Sequence, residues 1–378
     1  MQRIFRLLLL PAAACLLMAP LPGQAQYNQL NLVSDQAGVA LTTDPNLVNA
    51  WGLSAPPGGP WWVSDNGTGL STLYSGSGVK QALTVTIPPP PGALGNAAPT
   101  GQVFNGVATD FAGSHFIFAT EDGTISAWTA GTSAALKVDN SASGAVYKGL
   151  ALANDGTSNH IYAANFRSGN IDVFNNSFAP VSLGASAFTD PSLPAGYAPF
   201  NIQTIGNKLY VTYAVQDAAK HDDVSGVGNG IVDVYSPSGA LLQRLATGSA
   251  AGGAVSQLNS PWGVALAPAN FGHFSNDLLV GNFGDGTIDA FNPVSGSFLG
   301  QMTDAVGNVT AIDGLWGLAF GSGGNNGLTN ELFFTAGPDG ESHGLFGKIT
   351  ATPEPSTWAT GLIGACSLLV FARRRRKK

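Results

Sequence analysis

Three features predict an all-β fold, a six-bladed β-propeller. The sequence carries six copies of one strand-turn-strand unit, is rich in Gly, Asn, Ser and Thr with scarcely a stretch at helical spacing, and has hairpin pairs such as Asp122-Gly123 and Asp285-Gly286. Each unit opens with an apolar strand around a glycine, as in Ala50-Trp51-Gly52-Leu53, Asn105-Gly106-Val107-Ala108, Lys148-Gly149-Leu150-Ala151, Pro261-Trp262-Gly263-Val264 and Leu315-Trp316-Gly317-Leu318. Pro199-Phe200-Asn201-Ile202 is a divergent copy. A second strand, a Gly-containing turn and a third strand ending in an aromatic follow, most plainly over residues 115–128 and 278–291.

Openings at 52, 106, 149, 201, 263 and 317 lie 43 to 62 residues apart, the length of one small antiparallel sheet each. A solenoid or two separate sandwiches are the other arrangements six such units allow. The ring must also close. Tyr27-Asn28-Gln29-Leu30-Asn31-Leu32-Val33 precedes the first unit and the last runs out at Leu345-Phe346-Gly347-Lys348-Ile349, so the N-terminal segment is expected to supply the outer strand of the final blade.

The propeller occupies residues 26–350 and is flanked by two address signals. In residues 1–25, Arg3 and Arg6 precede an apolar segment from Leu7 to Met18 and a small-residue site at Gly23-Gln24-Ala25, a secretory signal peptide. In residues 351–378, Pro353-Glu354-Pro355 leads into an apolar run from Trp358 to Ala372 and then Arg373, Arg374, Arg375, Arg376, Lys377 and Lys378. That run is short for a membrane span, and the six cations would hold its end in the cytoplasm.

This tail resembles the PEP-CTERM sorting signal of Gram-negative bacteria. The resemblance implies recognition and processing by an exosortase, a membrane-embedded cysteine transpeptidase. It also implies transient inner-membrane anchoring through the C-terminal helix, then display on or release from the cell surface, often alongside exopolysaccharide. Pro353 and Pro355 would keep the cleavable backbone extended.

Cys15 and Cys366 both lie in the signals, so the body has no disulfide, no thiolate nucleophile and no Cys-based metal site. Of the 16 Lys and Arg, two sit in the leader and six in the tail; the eight that remain face 22 of the 23 Asp and Glu. So acidic a body argues against nucleic acid as partner. The body also lacks a P-loop, dinucleotide fingerprint, HExxH, GxSxG or CxxC.

Within the propeller class the repeats resemble NHL-type blades. Asp44-Pro45-Asn46-Leu47-Val48-Asn49-Ala50-Trp51-Gly52, Trp62-Val63-Ser64-Asp65-Asn66-Gly67-Thr68-Gly69 and Lys220-His221-Asp222-Asp223-Val224 are similar to a family of exported bacterial propellers with no assigned activity. The likeness covers nearly the whole body and adds no chemistry.

Candidate chemistry is sparse. Asp217, His221, Asp222 and Asp223 form a candidate binding loop within the longest insertion, 216–230, between the second and third strands of the fourth unit. Six-bladed hydrolases of the lactonase or phosphotriesterase type hold Ca²⁺ in the central tunnel, and Asn49, Asn201, Asn259 and Asp313 near the openings are the oxygen donors a calcium site would draw on. His343, with Glu341 as orienting partner, is a candidate general base. Trp51, Trp262 and Trp316 recur at one repeat position and read as packing residues. Trp61 and Trp62 should face opposite ways, leaving one exposed to stack on sugar. These residues point to an exported, non-catalytic binding or extracellular-matrix module with no catalytic residue assigned, and the insertion rim as contact surface. The alternative is a Ca²⁺-dependent propeller hydrolase.

Overall fold

The computed structural model describes residues 26–249 and 257–352. The signal peptide, Pro353-Glu354-Pro355, the apolar run and the terminal cations lie outside the described residues. Among the described residues no helix is long and apolar enough to cross a membrane.

Six sheets stand around one axis, antiparallel except where Thr42–Thr43 and Thr303–Asp304 pair parallel with the N-terminal strand. Blade 1 comprises Ala50–Ser54, Trp61–Asp65, Leu70–Tyr74 and Lys80–Thr86, and blade 2 Pro99–Phe104, Phe116–Thr120, Thr124–Trp128 and Ala135–Asp139. Blade 3 has only Tyr147–Asn154, Asn159–Asn165 and Asn170–Asn175. Blade 4 is Tyr197–Ile205, Lys208–Val215, Ile231–Tyr235 and Leu241–Thr247, and blade 5 Pro261–Leu266, Leu278–Asn282, Ile288–Phe291 and Phe298–Gln301. Blade 6 is Leu315–Phe320, Glu331–Ala336 and Leu345–Ala351, completed by Gln26–Ser34 from the N-terminus.

That last pairing closes the ring as the sequence predicts. Asn28 stands opposite Thr350 and Ser34 opposite Leu345 in antiparallel register. Tyr27 secures the closure by donating its hydroxyl to the Phe271 carbonyl at 3.0 Å and accepting the Phe274 amide at 3.1 Å, both in blade 5.

The glycine of the inner strand is a packing requirement. Inner strands approach so closely that a Cβ at Gly52 would lie 2.3 Å from the Thr100 carbonyl oxygen of blade 2, and one at Gly317 would lie 2.8 Å from the Trp51 carbonyl oxygen. In blade 4, Asn201 holds this place and its amide donates to the Trp262 carbonyl at 2.8 Å. Blade 2 corrects the sequence reading: its inner strand is Pro99–Phe104 and the close-packed glycine is Gly101, not Gly106, which lies beyond the strand. Thr100 stands where blades 1, 5 and 6 carry Trp, so the aromatic that marks those openings is missing there.

Both Trp61 and Trp62 are buried, contrary to expectation. Trp61 packs on Phe333 of blade 6 and Trp62 stacks on Phe116 of blade 2, ring centroids 5.1 and 3.9 Å away. A blade is covered on both faces by its neighbours, so alternation along its strands exposes neither side, and no indole of this pair is free to stack on sugar.

Candidate functional site at the tunnel mouth

One end of the tunnel is built from the starts of the inner strands and the turns between second and third strands. The same backbone hydrogen bond recurs in all six blades: the amide just past the second strand donates to the carbonyl just before the inner strand. The pairs are Asn66 to Asn49, Glu121 to Ala98, Phe166 to Val146, Gln216 to Gly196, Phe283 to Ser260 and Gly337 to Gly314, at 2.8 to 3.0 Å. This places Asn66, Glu121, Phe166, Gln216 and Phe283 at equivalent positions around the mouth.

Behind this ring the tunnel is filled. Trp51 stacks on Trp316 with centroids 3.6 Å apart, Phe283 also stacks on Trp316 at 3.9 Å, and Trp262, Phe166 and Phe200 complete the plug. Trp51, Trp262 and Trp316 are therefore packing residues, but of the tunnel itself. Beneath them the axis retains only a small cavity, about 10 Å³, lined by Gly52, Gln102, Asn201 and Gly263 among others.

Lys148 occupies the blade 3 position where three other blades have Trp. It is 2 % exposed and its ammonium contacts the Glu121 carboxylate, lies 3.0 Å from Asp222 Oδ1 and sits 5.0 Å from the centre of the Trp51 ring. Burial pulls the ammonium's pKa down, and the two carboxylates more than reverse this, leaving it above the ordinary lysine value. Glu121 accepts from Asn66 Nδ2 at 2.8 Å; Asn49 donates to Asn66 Oδ1 at 3.2 Å and to Glu341 Oε2 at 2.6 Å. Asn49 Oδ1 in turn accepts both the Trp51 and Trp316 indole N–H groups, at 2.9 and 3.2 Å. Burial raises the Glu341 pKa, with Glu121 and Asp222 adding to the rise. One network thus runs from the aromatic plug through Asn49, Asn66, Glu121 and Lys148 to the insertion.

The insertion reaches this network through two of its four candidate residues. Asp222 binds Lys148, and His221 Nδ1 lies 2.9 Å from Asp222 Oδ1. Asp217 instead caps the loop, accepting the His221 amide at 2.8 Å, and Asp223 accepts the Ser225 hydroxyl at 3.0 Å. Glu121, His221 and Asp222 each offer a ligand atom within 4.8 Å of the others.

The expected calcium donors do not come together. Asn49 is committed to the two indoles, Asn201 to the Trp262 carbonyl, Asn259 to the Gly226 amide at 2.6 Å, and Asp313 to the Asp339 amide at 2.8 Å. The aromatic plug fills the space where they would have to meet. His343 does not pair with Glu341 either: its Nδ1 lies 2.8 Å from Asp35, while Glu341 turns to Asn49. Sequence reasoning missed Glu121, Lys148, Asn66 and Glu341 as one group. The available signal was a lysine standing in a repeat position otherwise held by Trp.

Residues 351–377 match the PEP-CTERM protein-sorting motif, which marks the chain as exported and surface-sorted. Solved structures similar to this chain include a streptogramin B lyase, with 11% identity, a TM-score of 0.51 and coverage of 86% of this chain and 97% of that one. A glucose dehydrogenase shows 11% identity, a TM-score of 0.53 and 86% and 100% coverage. A protein of unknown function from Bacteroides thetaiotaomicron shows 11% identity, a TM-score of 0.55 and 87% and 77% coverage. At such identity these likenesses bear on the propeller fold alone. In sequence, an uncharacterized protein of Acanthamoeba polyphaga mimivirus is 31% identical over 335 residues, 84% of this chain and 78% of its own length. A second from the same virus is 30% identical over 334 residues, 84% of each. The chain belongs to the family of these mimivirus proteins.

Proposed function

We propose that this exported propeller is a non-catalytic recognition module at the cell surface, binding through the tunnel-mouth rim around the 216–230 insertion. The observation that carries this reading is the internal satisfaction of the mouth. Lys148 is neutralised by Glu121 and Asp222, Glu341 is held by Asn49, and the tunnel behind them is filled with aromatic side chains. Among the described residues, no nucleophile and no base free of a carboxylate partner stands over an open cavity there. The insertion, fixed by Lys148 and carrying exposed Val224 and Val227, is the part of the mouth that faces outward.

In this reading an exosortase recognises Pro353-Glu354-Pro355 and processes the tail after transient anchoring in the inner membrane, and a surface component such as exopolysaccharide is the partner. The test is retention of the chain on exopolysaccharide isolated from the producing cell, compared with a variant whose residues 217–227 are replaced by a Gly-Ser loop. Equal retention of both sinks the insertion as contact surface; retention of neither sinks the polysaccharide. A second reading, a Ca²⁺-dependent hydrolase, draws on the convergence of Glu121, His221 and Asp222. It requires an ion to displace the Lys148 ammonium from two of the three, so calorimetric titration of Ca²⁺ decides it: a single tight site supports the hydrolase, and heats at the level of dilution remove it.

A further inference from the structure

Among the described residues, blade 3 is the one sheet of three strands. Its third strand, Asn170–Asn175, has Asn159–Asn165 on one side and begins to acquire a fourth strand on the other. The Asn175 amide donates to the Ala179 carbonyl at 2.9 Å and the Val181 amide to the Val173 carbonyl at 2.8 Å. Beyond Val181 the chain leaves the edge. Outward-facing backbone groups alternate along a strand, so those of Ile171 point the same way as those of Val173 and Asn175. Among the described residues, the Ile171 N–H and C=O and the Val173 N–H meet no backbone partner.

A groove of about 650 Å³ lies against this open edge. Ile171, Val181, Leu183 and Phe188 give it apolar walls, and of its two carboxylates Asp190 is paired with Arg244 while Asp172 accepts from the Tyr147 hydroxyl and the Asn165 side-chain amide. An unpaired edge beside a groove with apolar side chains on its walls is the arrangement by which an extended peptide adds a strand, its backbone supplying the hydrogen bonds and alternate side chains entering the groove.

We propose that the open edge of blade 3 at residues 171–173, with the groove beside it, docks an extended basic peptide strand of a partner protein. Charge selects this occupant. The body carries eight Lys and Arg against 22 Asp and Glu, so a second copy would bring like charge to this edge, whereas a cationic strand is attracted to the body and to Asp172, the groove carboxylate that no Lys or Arg pairs with among the described residues.

The test uses the full chain in detergent and a fluorescein-labelled peptide, Lys-Val-Thr-Val-Lys. Anisotropy should report saturable binding below millimolar concentration, and hydrogen–deuterium exchange across 170–174 should slow at least tenfold with peptide present. Ile171→Pro removes the outward N–H without touching the ladder to Ala164, an exchange that edge strands tolerate; it should weaken binding at least tenfold, while Ile171→Val should not. If Ile171→Pro fails to fold, exchange in the unmutated chain still decides. No binding at 1 mM, protection elsewhere than 170–174, or binding insensitive to Ile171→Pro in a folded variant each overturns the proposal. Concentration-dependent protection of 170–174 without peptide would show self-pairing and overturn the choice of partner.

Discussion

Lys148→Met tests whether the tunnel mouth is held by its internal ion pairs. Met matches the aliphatic stem, so packing against Trp51 is largely kept and the change removes one positive charge. The two carboxylates it leaves behind are not equivalent. The Asp222 side chain is 66 % exposed and can turn to water, whereas Glu121 is 13 % exposed and retains only Asn66 as a donor. Breaking a buried pair by removing one partner costs about 3–5 kcal/mol; with only one of two carboxylates stranded, the lower end, about 3 kcal/mol, is expected, including the lost cation–π contact. The assay is urea unfolding of residues 26–352 at pH 7. Glu121→Gln in the Lys148→Met background should recover about 2 kcal/mol by removing the stranded charge, and Asp222→Asn alone should cost less than about 1 kcal/mol. Limited proteolysis of Lys148→Met should cleave first within 216–230, because the loop has lost its tether. A loss under about 1 kcal/mol, or no rescue by Glu121→Gln, would refute the network as the element that organises the mouth.

Asp289 is fully buried, its Oδ2 has no partner, and burial pushes its pKa up to about 6. The folded state therefore holds a proton that the unfolded chain releases near 4, so the Asp289 contribution to stability is intact below about pH 4 and lost as pH rises to about 6. Asp289→Asn should gain about 1–3 kcal/mol at pH 8 and little at pH 4, read from melts at the two pH values. Gly101→Ala should cost about 2–3 kcal/mol, since its Cβ would lie 2.3 Å from the Leu150 amide nitrogen, and Gly106→Ala, whose Cβ meets nothing nearer than the Phe104 ring at 3.4 Å, should stay within about 0.5 kcal/mol. Equal effects would return the blade 2 opening to Gly106. Deleting residues 26–34 uncovers the last strand and removes buried Tyr27, Leu32 and Val33, about 5–9 kcal/mol of apolar burial; that rivals the whole stability of a domain, so the truncated body should lose its cooperative unfolding transition.

The ring was legible because its constraints repeat. A glycine where inner strands touch, an aromatic ending the third strand and a Gly turn before it recur in successive units, and the leftover strand at each end of the body had only one place to pair. The errors have physical causes of the same kind. Gly106 reads as the inner glycine in sequence because Thr100 replaces the Trp that marks the opening in blades 1, 5 and 6. An exposed Trp at 61 or 62 followed from alternation, which presumes a sheet with one wet face; a propeller blade has none. Asn49, Asn201, Asn259 and Asp313 come from four blades at similar points in the repeat. A shift of one or two residues along a strand changes both height and direction, and their hydrogen bonds carry them to separate partners.

The mouth cluster was hidden for the opposite reason: its members break the repeat. Glu121 sits in Glu-Asp-Gly and reads as part of a turn, which it also is, since the neighbouring Asp122 accepts the Ala98 amide at 2.8 Å. Lys148 reads as the first residue of an apolar strand. Each becomes informative only against the other blades, where the Glu121 position holds Asn66, Phe166 or Phe283 and the Lys148 position holds Trp51, Trp262 or Trp316. A lysine in that place puts a charge among indoles, a cost recovered only if carboxylates reach it. Blade 2 supplies one from its turn and blade 4 supplies the other from an insertion long enough to cross the mouth. The length of the 216–230 loop and the identity of residue 148 are therefore two halves of one structural device. Their coupling accounts for the longest of the turns between second and third strands belonging to the blade next to the one that carries the lysine.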